Sequence, residues 1–80
     1  MTVTVLLFAS YADALRTHSL ALDMAQGATV NDVVKHLRAL PGATRLPPRP
    51  LTAVNERYAE HDCVLVAGDR VAIIPPVAGG

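Results

Sequence analysis

The sequence predicts an α+β fold in which one mixed sheet packs on one main helix. Three observations carry that expectation. The segments Thr2–Phe8 and Val71–Ile74 have the length and patterning of strands. A single stretch, Val30 to Leu40, repeats apolar residues at the three- and four-residue steps of a helix. Between them, Gly, Pro and Asp clusters punctuate the chain at turn positions.

The first strand alternates two sets, Val3, Val5 and Leu7 against Thr2, Thr4, Leu6 and Phe8. The first set is wholly apolar and is assigned to the core. The second begins polar and ends apolar, which leaves Leu6 and Phe8 as a patch on the outward face. Ser10, with Asp13 three residues on, has the form of a capping box for one short helical turn through Arg16. His18–Met24 forms a second strand, and Gln26-Gly27-Ala28 turns the chain. Thr29 then caps the main helix, with Asp32 placed where a carboxylate meets the free N–H groups of the first turn. Val30, Val33, Val34, Leu37 and Leu40 make its apolar stripe, and Pro41-Gly42 ends it.

Pro41 to Pro50 holds four prolines and little periodicity, and reads as a stiff loop. Leu51 to Asn55 and Tyr58-Ala59 form a tight hairpin around Glu56 and Arg57. Asp62–Leu65 is expected as one turn of 3₁₀ helix, and Gly68-Asp69 as the turn before the last strand. Pro75-Pro76 stops that strand, because proline cannot donate to a ladder. A lone amphipathic helix buries its stripe most simply across one sheet face. With the first and last strands side by side in the middle, the arrangement is a β-grasp (ubiquitin-like) fold. Residues 1–74 form this domain, and residues 75–80 an extended C-terminal Gly-Gly tail.

Eighty residues hold one domain. Seven Lys and Arg balance seven Asp and Glu, and there is no run of 18 apolar residues. Neither a nucleic-acid partner nor a membrane partner is therefore expected. From the single cysteine and the lack of a positively charged leader before the apolar start, a cytoplasmic location is expected.

Catalytic groupings are scarce. The sequence has no Gly-rich phosphate loop, no His-Glu-x-x-His run and no paired Cys-x-x-Cys. His61 and Cys63 supply two of the four ligands that structural zinc needs, so no metal site is expected. Cys63, followed by Val64, Leu65 and Val66, reads as a small buried hydrophobe. The chain is not expected to be an enzyme on its own.

The tail is the remaining candidate. Two prolines set an extended exit from the sheet. Six residues, Pro75 to Gly80, at ~3.3 Å each span about 20 Å, enough to enter another protein's active site. Val77 and Ala78 are placed to grip a channel, while Gly79 and Gly80 offer no side chain to obstruct it. The group delivered is the Gly80 carboxylate, inert as an acyl donor until a partner activates it.

The stretches "VTVLLFAS", "AVNERYA" and "LVAGDRVAIIPPVAGG" are similar to those of the ubiquitin-like sulfur carriers of bacterial cofactor biosynthesis, the MoaD/ThiS family. The likeness spans essentially the whole chain and leans to the family's molybdopterin branch, where a doubled proline before the tail is more typical. It implies a sulfur-carrier small subunit of molybdopterin synthase, a non-catalytic sulfur donor. An adenylating enzyme related to the ubiquitin-activating enzymes would spend ATP to adenylate Gly80, and a sulfur relay would convert it to a thiocarboxylate. No cofactor would be tightly bound. The tail, Val77 to Gly80, would insert into a large subunit, in a heterotetramer of two small and two large subunits. By position, Phe8, Ile74, Pro75 and Pro76 would meet the partners. The open alternatives are sulfur donation for thiamine or another pathway, a ubiquitin-like protein modifier, and a plain interaction module.

Overall fold

The computed structural model describes residues 1–76. Five strands form one sheet in the order β2-β1-β5-β3-β4. They are β1 (Thr2–Leu7), β2 (Ser19–Asp23), β3 (Leu51–Val54), β4 (Arg57–Tyr58) and β5 (Arg70–Ile74). Helices α1 (Ala9–Leu15) and α2 (Val30–Arg38) and a 3₁₀ turn at Ala43–Arg45 complete the fold. The first and last strands pair in parallel at the centre, Val5 opposite Val71 and Leu7 opposite Ile73. All other pairings are antiparallel. The chain builds the expected mixed sheet with its first and last strands side by side in the middle, and their parallel sense is added by the structure.

The core lies between one sheet face and the helices. Val3, Val5, Leu7, Val71 and Ile73 point into it, and Val30, Val33, Val34 and Leu37 meet them from α2. Each of these side chains is at most 1% exposed, so the helix stripe and the inward strand set are buried as the periodicities require. Leu40, the last residue assigned to the stripe, is only half-buried, because α2 ends at Arg38.

The start of α2 follows its local chemistry. The Thr29 amide donates to Asp32 Oδ2 at 2.9 Å, and the Asp32 amide donates to Thr29 Oγ1 at 3.3 Å, closing a capping box. The backbone and side-chain hydrogen bonds from Thr29, followed by the charge of Lys35, hold the Asp32 carboxyl below the ordinary aspartate range.

Several local expectations differ from the structure. The capping box at Ser10 does not form: α1 begins at Ala9 with Phe8 as its cap residue, and no side chain caps it. The helix starts there because the chain reverses directly off β1, with Ala9 at φ 47. The Pro41–Pro50 loop carries the 3₁₀ turn, with Ala43, Leu46 and Pro50 buried. Asp62–Leu65 is not a 3₁₀ turn; Val64 forms a bridge with Thr29, and the Leu65 amide donates to the Ala28 carbonyl at 2.8 Å. Of the run after Cys63 only Leu65 is buried, Val64 and Val66 being exposed and Cys63 partly packed against the core.

The hairpin turn is one residue earlier than the spacing suggests. Asn55 and Glu56 are its central residues, both left-handed at φ 51 and 72, as a two-residue hairpin connection requires. Asn55 also ties the turn to β5: its Nδ2 donates to Asp69 Oδ1 at 2.9 Å and its Oδ1 accepts from the Arg70 amide at 3.0 Å.

Candidate functional site: the outer sheet face and the tail

The sheet face away from the helices is open, and its relief follows from register. Leu6 on β1 lies opposite Ala72 on β5, Ala72 opposite Ala53 on β3, and Ala53 opposite Tyr58 on β4. Two alanines at the middle of this row leave a low floor. Larger side chains stand around it, with Leu6, Phe8 and Ile74 on one side and Tyr58 on the other. The resulting concavity holds about 550 Å³, and Asn55, Glu56 and Arg70 form its polar end.

Its apolar rim is poorly covered by the chain itself. Phe8 is 47% exposed, and Tyr58 is 77% exposed. Leu51, opposite Ile74 in the next row, is 52% exposed. Scattered exposed apolar residues are ordinary, whereas a concave cluster with a polar edge has the form of a docking surface.

Two of the residues expected at a partner interface, Phe8 and Ile74, thus line one concavity. Pro75 is half-buried and Pro76 exposed, directly after β5. The face also includes Tyr58, Leu51, Ala53, Ala72, Asn55, Glu56 and Arg70, which sequence patterning did not single out. Their signal was the pairing of β3 with β5, which periodicity does not specify. Val77, Ala78, Gly79 and Gly80 lie outside the described residues.

The other candidate chemistry resolves into structure. His61 is buried, and its Nε2 donates to the Pro50 carbonyl at 2.8 Å, pinning the proline-rich loop to the segment before β5. Cys63 Sγ approaches the Val64 carbonyl at 3.8 Å, and its own carbonyl accepts from the Val30 amide at 3.0 Å. Among the described residues, no group of three or more His, Cys, Asp or Glu side chains is placed to hold a metal. No helix among them is long and apolar enough to cross a membrane.

A five-stranded mixed sheet with a central parallel pair, one main helix across it and an apolar outer face defines the ubiquitin-like β-grasp class. Within that class, the model of the ThiS family matches residues 5–80, and the chain belongs to that family. It is similar to the molybdopterin synthase sulfur carrier subunit of Drosophila sechellia, at 31% identity over 100% of this chain and 92% of that protein. It is also similar to the protein of the same description from Arabidopsis thaliana, at 30% identity over 98% of this chain and 82% of that one. Among solved structures it resembles Haloferax volcanii small archaeal modifier protein 1, with a TM-score of 0.82 and 25% identity over 95% of this chain and 98% of the other.

Proposed function

We propose that the chain is the sulfur-carrier subunit of a molybdopterin synthase, with the Gly80 carboxylate as the group that carries sulfur. The observation that supports this most is the end-to-end likeness to sulfur carrier subunits of that enzyme, together with membership of the ThiS family. Within this reading, residues 1–74 are the docking body and residues 75–80 the delivered tail.

The chemistry asks little of the carrier. A Gly80 carboxylate oxygen attacks the α-phosphorus of ATP in an adenylating partner, and pyrophosphate leaves. A donor persulfide then attacks the acyl carbon and displaces AMP, leaving an acyl disulfide. A second thiol of the relay attacks the donor's own sulfur in that bond, which frees the Gly80 thiocarboxylate and leaves a disulfide on the relay. Glycine at the reacting position leaves the acyl carbon open to attack. The adenylating enzyme, the sulfur relay and the large subunit supply every catalytic group. ATP is their substrate and is not resident on this chain.

The outer face supports the same reading from geometry. Phe8 and Ile74 line the concavity, and Ile74 is the residue from which Pro75 and Pro76 lead to the tail. A partner seated on this face would therefore receive the tail from its edge. The tail would enter the large subunit, in an assembly of two small and two large subunits within the cytoplasm. Truncation after Ala78 tests the role of the two glycines. The fold should survive, and molybdopterin formation should be lost in a strain that depends on this copy.

A second reading is a protein modifier joined through Gly80 to lysines, favoured by the likeness to a small archaeal modifier protein. It predicts Gly-Gly remnants on lysines of digested cell extract that vanish when the gene is deleted. Rescue of thiamine auxotrophy in place of molybdoenzyme activity would assign the sulfur to another pathway.

A further inference from the structure

The chain is neutral overall, yet its charges are segregated. From Val33 to Asn55 there are four cationic residues, Lys35, Arg38, Arg45 and Arg49, and no Asp or Glu. All seven carboxylates lie outside that stretch, at Asp13, Asp23, Asp32, Glu56, Glu60, Asp62 and Asp69. Arg49 belongs with the acidic side, since it shares a depression with Glu60 and Asp62. Of the other three, Lys35 and Arg38 lie in the last turn of α2 and Arg45 on the 3₁₀ turn that follows it.

Lys35 and Arg38 are three residues apart on α2, and so share a helix face. The Arg38 Nε donates to the Leu46 carbonyl at 3.3 Å, which lays the guanidinium against the 3₁₀ turn whose last residue is Arg45. Leu46 is buried, so this contact ties Arg38 to an anchored residue. Lys35, Arg38 and Arg45 are all exposed. Among the described residues, none of them reaches a carboxylate within 4.0 Å; the one ion pair joins the Met1 amino group to Asp23. Asp32, one turn before Lys35, is the carboxylate of the same helix.

Part of this charge complements the C-terminal end of the α2 dipole, which draws cations to the last turn. Arg45 lies beyond that helix and is not accounted for in this way. The cluster also sits on the helix side of the sheet, opposite the apolar concavity.

We propose that Lys35, Arg38 and Arg45 form a second docking surface, for an acidic segment of a partner protein. It is usable while the outer sheet face is occupied. The occupant is an acidic polypeptide and not a nucleic acid. Three cations release few counterions, and no aromatic side chain stands beside them for base stacking. Of the three aromatic residues, Tyr11 is buried, while Phe8 and Tyr58 border the opposite concavity. This inference does not depend on the sulfur-carrier reading, because it uses neither the tail nor Gly80.

The test is fluorescence anisotropy of a labelled peptide of alternating Glu and Ser, titrated with the full chain. Binding should be detectable at low salt and weaken about tenfold or more on going to ~0.15 M salt. The double variant Lys35→Glu/Arg45→Glu should abolish it, and Lys35→Gln/Arg45→Gln should weaken it, each with an unchanged circular dichroism spectrum. Arg57→Glu, on β4, should bind within about twofold of the parent, since a distant exposed charge is screened. Absence of binding at low salt would overturn the proposal. So would binding indifferent to the double substitutions, or tighter binding of a single-stranded oligonucleotide of equal charge.

Discussion

Thr29 shows how far a single residue can set local structure here. Its side chain and amide both engage Asp32, and together they satisfy donors that the first turn of α2 otherwise leaves open. Thr29→Ala should cost about 1 kcal/mol, read as a lowered chemical-denaturation midpoint with an unchanged slope. The pH dependence has a definite sign. Asp32 titrates lower in the folded chain than in the unfolded one, so its contribution is complete above the unfolded aspartate range. It is lost as pH falls through the folded value. Stability should therefore fall on acidification below about pH 5, where an unperturbed aspartate begins to take up its proton. Asp32→Asn should flatten that part of the profile. This box was legible because every participant lies within four residues. The apparent box at Ser10 has the same lettering but fails, since the strand-to-helix reversal at Ala9 places Phe8 at the cap. A local motif acts only where tertiary structure puts its first residue at a helix start.

At the scale of elements, two positions carry the connections. Gly42 sits at φ 86, and a Cβ there would fall on the Ala14 carbonyl oxygen, where α1 and the 3₁₀ turn pack together. Gly42→Ala should destabilise by at least ~2 kcal/mol, combining a left-handed backbone with a backbone clash. The loss should appear in thermal unfolding, while Gly68→Ala, at φ 87 with open space around it, should cost less. The β3–β4 turn works the other way. Glu56 occupies a left-handed position at φ 72, so Glu56→Gly should stabilise the hairpin by about 0.5–1 kcal/mol, raising Tm by a few degrees. The helix stripe and the first and last strands were readable because each has its own period. The 3₁₀ turn and the bridge of Val64 with Thr29 were not, because each exists only through packing between segments distant in sequence. The same reason hid the concavity: Ala53 and Ala72 are unremarkable until β3 and β5 are known to be neighbours.

The whole molecule is a body with two unlike faces. On one, helices close the core and leave cations exposed; on the other, a bare sheet offers an apolar hollow beside the strand that leads to the tail. Phe8 was legible as an outward residue by alternation, Ile74 only by its position in the family resemblance, and the fold places them together. Because Phe8 is half-exposed, Phe8→Ala should leave the melting temperature nearly unchanged. In the proposed carrier role it should weaken large-subunit binding by about 2 kcal/mol, as loss of an aromatic anchor does. Isothermal calorimetry with the large subunit measures this directly. Most decisive for the carrier role is the intact mass of the chain after co-expression with its adenylating and sulfur-relay partners. Sulfur replacing one oxygen at Gly80, and absent when Gly80 is deleted, is the expected result. A chain that remains wholly carboxylate while those partners are active would contradict the sulfur-carrier function.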